Sequence, residues 1–181
     1  LPVRIECFDV SNIQGESIVA SMTVFVDGKP RNAHYRTFAI RSLAGQDDVG
    51  SMREAVSRRF AHARAGEPDD SFRQIPNLVV VDGGKGQLAA ALAAIEEFDL
   101  PRVAVIALAK REEEVFVPGF PAPIALDRTS PALQLLLGGQ YSAALQLAGK
   151  SEGNPIIAVK DGYLFDQIHL PLDIGPEGRD G

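Results

Sequence analysis

The sequence predicts an α/β protein built on one mixed sheet, and three observations carry that reading. Three β-rich runs at the start of the chain follow one another through short connections, as an antiparallel meander does. Two short apolar runs, residues 77–82 and 103–109, flank an Ala-rich helical stretch, the strand–helix–strand unit of a parallel sheet. The chain has 181 residues, 45% hydrophobic and 23% charged, enough for one domain with a real core.

Residues 3–9 and 17–27 carry β-branched and aromatic side chains at near-alternating positions and are joined through Asn12 and Gly15. A Gly28-Lys29-Pro30 turn leads into a third run, 34–40, that ends at Ile40. After a polar loop, 42–50, a helix is expected over 51–65, with Met52, Val56, Phe60 and Ala63 as its apolar stripe. Arg53, Arg58, Arg59 and Arg64 lie mostly off that stripe. Residues 66–71 read as a loop. Strand 77–82 turns through Gly83-Gly84-Lys85-Gly86 into a helix over 87–98, and strand 103–109 follows. Residues 113–119 and 122–127 form a hairpin. Ser130 and Pro131 start a helix as N-cap and first residue. That helix runs past Leu137 and is expected to break at Gly138-Gly139, since each Gly costs about 1 kcal/mol relative to Ala. A second hairpin is expected over 155–170, about Lys160-Asp161-Gly162, and the last residues as disordered.

One cysteine, Cys7, excludes a disulfide framework or a thiolate zinc site. No apolar run approaches the roughly 18 residues of a membrane span, and no leader precedes the first strand, so a soluble, cytoplasmic protein with no membrane partner is expected. Eighteen Lys+Arg against 24 Asp+Glu give a net charge of −6. That argues against wholesale coating of nucleic acid, though not against one local basic patch.

Three aspartates stand out by position. Asp9 closes the first strand, Asp82 closes the buried strand of 77–82, and Asp48 sits at the mouth of the first helix. A carboxylate ending an apolar run is costly to bury unless paired or metal-bound. Neighbouring strands would bring Asp9 and Asp82 together, and a divalent cation relieves their repulsion. Oxygen ligands without Cys or a His pair favour Mg²⁺ or Mn²⁺ over zinc. The plain alternative is that each is a turn residue or a helix cap, Asp48 above all. The loop Val81-Asp82-Gly83-Gly84-Lys85-Gly86-Gln87 is no Walker loop, because Val79 stands five before Gly84 and Gly86 follows Lys85. A Gly-rich turn remains, whose amides and Lys85 either meet a phosphate or serve only a tight turn.

Several segments then carry a resemblance: Arg4-Ile5-Glu6-Cys7-Phe8-Asp9-Val10-Ser11, Gly15-Glu16 with Val19-Ala20-Ser21, Tyr35-Arg36-Thr37-Phe38, and Asp47-Asp48 with Met52-Arg53-Glu54. They continue with Arg58-Arg59-Phe60, Asp82-Gly83-Gly84-Lys85-Gly86-Gln87-Leu88, Ala109-Lys110-Arg111-Glu112-Glu113 and Ser130-Pro131-Ala132-Leu133. Together they resemble the C-terminal endonuclease domain of the UvrC-type subunit of the bacterial UvrABC excision nuclease, over residues 3–137. The resemblance implies a ribonuclease-H-like fold, which the mixed sheet with flanking helices suits, in a single domain spanning 1–181. It implies metal-dependent nicking of DNA, the 5′ incision of nucleotide excision repair, with damaged double-stranded DNA and UvrA-type and UvrB-type subunits as partners. The family's catalytic aspartates fall on Asp9, Asp48 and Asp82, with Asp9 and Asp82 as ligands of Mg²⁺ or Mn²⁺. Lys85, Lys110 and Arg111 would face DNA or support the site.

The chain also departs from the family. Asn12 stands where a His is usual after the first motif. An ungapped reading puts Ala144 at the position of the catalytic His, and residues 138–181 form an atypical tail. His169 is the one later histidine and a candidate replacement. The family's second nuclease module and helix-hairpin-helix pair are not in this sequence, so weak affinity of its own for DNA is expected. The rival expectation is a catalytically silent module that binds DNA or repair proteins, having lost that His.

Overall fold

The computed structural model describes residues 2–13, 17–41, 47–66, 68–98, 100, 103–109, 114–127, 129–147, 159–160 and 163–164. β1 (Arg4–Ile13) and β2 (Ser17–Val26) pair antiparallel from Arg4↔Val26 to Ile13↔Ser17. Asp9 therefore does not close β1, as the sequence suggested. Val10 to Ile13 go on pairing with β2, while the parallel ladder from β1 to β5 (Leu78–Asp82) stops at Phe8↔Val81. The meander turns at Asp27-Gly28, both at positive φ (51° and 73°), a two-residue loop of the kind a tight hairpin selects. Lys29-Pro30, expected as turn, are thereby freed to pair with β2 as β3 (Lys29–Pro30). β4 (Arg36–Ala39) pairs with the other half of β2, from Val19↔Ala39 to Met22↔Arg36.

On the far side of β1 the sheet becomes parallel. β5 pairs with β1 and with β6 (Ala104–Ala109), then β7 (Glu114–Phe116) and β8 (Ile124–Ala125) add an antiparallel hairpin. The strand order is β3-β2-β1-β5-β6-β7-β8, with β4 beside β3 on β2. Three antiparallel strands continued by two parallel ones is the ribonuclease-H-like mixed sheet. Beyond it, Val159–Lys160 and Tyr163–Leu164 (β9 and β10) pair antiparallel within the expected second hairpin.

Helices cover both faces. α1 (Asp48–Ala65) and α3 (Lys85–Glu96) pack together over Phe8, Met22, Val24, Val79 and Val81. On the other face α4 (Pro131–Leu147) lays Leu133 and Leu136 on Ile5, Cys7, Phe25 and Val80. α4 does not break at Gly138-Gly139. A Cβ on Gly139 would collide with Cys7 Sγ, and Thr23 Oγ1 donates to Gly139 O at 2.9 Å. The glycine is what lets the helix touch the sheet, and that packing outweighs its poor helix propensity.

Two further expectations are corrected. Residues 66–71 are not all loop, because α2 (Asp70–Arg73) forms there behind Asp69, whose side chain accepts from Ser71 N at 2.9 Å. Arg59 is not off the buried stripe but fully buried, along with Met52, Ala55, Val56 and Phe60. The reason is Glu6, also fully buried on β1. Its carboxylate accepts from Arg59 Nε (2.7 Å) and Nη2 (2.8 Å) and from Arg4 Nε (2.8 Å). Arg59 also donates to Phe72 O and Gln74 O at 3.0 and 2.5 Å, and Arg4 to Ser71 O at 2.6 Å. This network ties β1, α1 and α2 together, and removing one partner of such a set is far costlier than never having built it. Arg4 Nη1 donates to His34 Nδ1 at 2.9 Å, so that ring nitrogen is the acceptor and His34 is neutral. Burial first, then the charge of Arg4, holds the His34 pKa below its ordinary value. The Arg36 guanidinium grips Asp69 through two bonds of 2.8 and 2.6 Å and holds its carboxyl well below the usual carboxylate range.

Candidate metal centre at the carboxyl ends of the central strands

Asp9 lies one residue past the last β1–β5 pair, Phe8↔Val81, and Asp82 stands at the same level on β5. Adjacent strands run about 4.8 Å apart, so the two backbones are immediate neighbours there. Side chains alternate along both strands. Phe8 and Val81 enter the core beneath α1 and α3, whereas Cys7 and Val80 face α4. Asp9 and Asp82 share the second parity and so project from one face. Asp9 is buried, 4% exposed, and Asp82 is half-buried. The sequence expectation that neighbouring strands bring these two together holds.

Asp82 is aimed by the turn that follows it. Gly83 takes φ +121° and donates its N–H to Leu108 O at 3.1 Å, while Gly84 N–H donates to Gln87 Oε1 at 3.2 Å. A Cβ on Gly83 would overlap the Gln87 carboxamide, which occupies that space. Gly83 is thus required twice, by its backbone angle and by the side chain folded over it. Gln87 is a residue that sequence reasoning passed over. Its signal was the spacing, a Gln at the third helical position behind a cap.

Asp48 reaches this end of the sheet by another route. It is exposed in the first turn of α1, where the helix dipole favours a negative charge. It is not the cap. Asp47 is, accepting from Gly50 N at 2.9 Å, so of the plain alternative for Asp48 the cap falls to its neighbour and the favourable place at the helix end remains. The next residue, Val49, is in van der Waals range of Gly86, where a Cβ would come to 3.3 Å from Val49 Cγ2. The amino ends of α1 and α3 therefore meet just past the end of β5. The structure does not gather all three aspartates into a cluster: among the described residues no three His, Cys, Asp or Glu side chains come together to hold a metal ion. The centre is a strand pair of carboxylates, with a third on the adjoining helix end.

The cations fall out differently. Lys85 Nζ donates to Pro121 O at 2.7 Å, tying the first turn of α3 to the loop between β7 and β8. Lys110, Arg111 and His169 lie outside the described residues. Ala144, at the position expected for a histidine, falls within α4. No described helix is long and apolar enough to cross a membrane.

Two neighbouring carboxylates with only oxygen to offer suit a hard divalent cation, and Mg²⁺ in particular is held by one or two carboxylates plus water. A family model described as the UvrC RNAse H endonuclease domain matches residues 1–142 of this chain. The chain belongs to the UvrC endonuclease-domain family. The match ends two residues short of Ala144. UvrABC system protein C of Dehalococcoides mccartyi strain BAV1 is 47% identical over 135 residues, covering 75% of this chain and 22% of that protein. The protein of the same name from Chlorobaculum tepidum is 50% identical over 138 residues, and that from Gloeobacter violaceus 51% over 140. The chain spans about a fifth of the length of the curated relatives it matches, 22% for the first. A Ciona intestinalis endonuclease V, solved with a 24mer DNA containing an inosine followed by a ribo-adenosine, aligns over 90% of this chain and 63% of its own at 15% identity and a TM-score of 0.42.

Proposed function

We propose that this UvrC-family domain is a metal-dependent DNA endonuclease that makes the 5′ incision of nucleotide excision repair. The observation that carries the reading is the pair Asp9 and Asp82, side by side on the central strands and facing one way. These two would hold Mg²⁺ or Mn²⁺, and Asp48 would assist from the first turn of α1. Bound there, a divalent cation supplies a Lewis acid that polarises a phosphodiester and makes water nucleophilic at neutral pH. The protein's own contribution is placement. Asp9 is locked inside a ladder paired beyond it, Asp82 is aimed by the Gly83-Gly84 turn, and Asp48 is freed from capping by Asp47. Damaged duplex DNA is the substrate, and UvrA-type and UvrB-type subunits are the partners that deliver it.

Supercoiled plasmid is the test, incubated with the chain and Mn²⁺, Mg²⁺ or EDTA. Nicking is expected only with metal, and Asp9→Asn or Asp82→Asn should lower it at least 100-fold while leaving the protein folded. Nicking that survives both substitutions would place the chemistry elsewhere. A second reading, a silent module that binds DNA or repair proteins, is favoured by Ala144 alone. A folded wild type that never nicks, and that gains activity with Ala144→His, would support it. General acid–base help of that kind is worth about 10²–10⁴-fold.

A further inference from the structure

Asp82 is followed by two glycines, the residue type that leaves a backbone least defined, at the point where a metal ligand needs a fixed direction. Its strand gives it limited support. The β1–β5 ladder ends at Phe8↔Val81, so Asp82 has Leu108 of β6 as its ladder partner, and Gly83 N–H closes that ladder on Leu108 O at 3.1 Å. Past that bond the chain turns at φ +121°, and the Gln87 side chain meets the turn. Its Oε1 accepts from Gly84 N–H at 3.2 Å, and its carboxamide lies 2.6–3.0 Å from where a Gly83 Cβ would stand. This side chain rests on a fixed base. Leu88, the next residue, is buried, Gly86 lies against Val49 of α1, and Lys85 Nζ holds Pro121 O at 2.7 Å.

We propose that Gln87 is a positioning residue for the cation, bracing the Gly83-Gly84 turn so that Asp82 is held beside Asp9. The inference rests on the reading of Asp9 and Asp82 as a metal pair. Gln87 acts on the backbone of the turn, so it need not share the sheet face from which the two aspartates project. Two adjacent carboxylates repel each other until a cation joins them. A loose turn would let Asp82 swing away from Asp9, and the ion would then have to draw it back. A braced turn keeps the pair ready. Groups that orient a metal ligand from behind are typically worth about 10–100-fold in metal affinity. A plain helix cap, in contrast, acts on stability alone.

The test is the Mn²⁺ affinity of the full chain, read by calorimetric titration, beside its melting temperature. Gln87→Met keeps the length and helix propensity of the side chain but loses the acceptor. Gln87→Glu keeps the acceptor in the manner of a capping box. Gln87→Met should bind Mn²⁺ about 10–100-fold more weakly than wild type, and Gln87→Glu at least as tightly as wild type. Asp69→Ala, which removes the cap of α2 and the partner of Arg36, separates stability from metal binding. It should lower the melting temperature and leave Mn²⁺ affinity unchanged. Wild-type affinity in folded Gln87→Met overturns the inference, leaving Gln87 a helix cap and the metal pair intact. A Gln87→Glu protein as weak as Gln87→Met overturns it too, since the restored acceptor would then have done nothing. A folded wild type that binds no Mn²⁺ overturns both this inference and the metal reading beneath it.

Discussion

Glu6, Arg59 and Arg4 show how a single side chain decides more than its residue type announces. Arg59→Met keeps the volume of a buried side chain but leaves Glu6 with Arg4 alone and strips donors from Phe72 O and Gln74 O. A loss of about 3 kcal/mol in urea unfolding is expected. A change under 1 kcal/mol would show that the network adds little. His34 gives a pH signature. Its folded pKa lies below the unfolded value of about 6.5, so the unfolded chain binds the extra proton. The stability it contributes is present above that pH and is lost as pH falls through the folded value. Wild type should lose more stability between pH 7.5 and 5.5 than His34→Gln does, read as urea midpoints. Asp47 and Asp48 separate two roles that adjacent identical residues conceal. Asp47→Ala should cost about 1 kcal/mol as a lost cap. Asp48→Asn should spare stability and reduce nicking.

At the scale of elements, Gly139 is the sharpest case. An alanine in a helix interior ordinarily gains about 1 kcal/mol over glycine, yet here its Cβ meets Cys7 Sγ. Gly139→Ala should therefore destabilise by about 1–3 kcal/mol, and Cys7→Ala in the same chain should return most of it. Additive effects would mean that α4 does not lie on β1 at this point. This contact also shows why the sequence misplaced the end of α4. Glycine propensity is a local quantity, while the close approach to β1 depends on residues more than a hundred positions away. The strands of the central sheet were legible, since β-branched alternation and short apolar runs are local signals that the sheet then uses. The reach of β1 past Asp9 was not, because residues 10–13 are extended by their partners in β2. Arg59 was hidden for a like reason: an arginine next to an apolar stripe reads as surface until Glu6 is known to face it.

The whole molecule places its chemistry by topology. Antiparallel β1–β2 and parallel β1–β5 end at different levels, and the step between them is where Asp9 and Asp82 meet. The pair was legible from one sequence because each aspartate terminates an apolar run. Asp48 was legible only as the mouth of a helix, since its nearness to the α3 amino end depends on how α1 crosses the sheet. On the proposed reading, the acidic total charge leaves any affinity for DNA to a local site and to partners. The central claim is that Asp9 and Asp82 together hold one divalent cation. Calorimetric titration of the full chain with Mn²⁺ tests it most directly, beside Asp9→Asn, Asp82→Asn and Asp48→Asn. One binding site in the wild type, abolished by either strand substitution and only weakened by Asp48→Asn, is the predicted result. Unchanged Mn²⁺ binding by folded Asp9→Asn and Asp82→Asn proteins would contradict it.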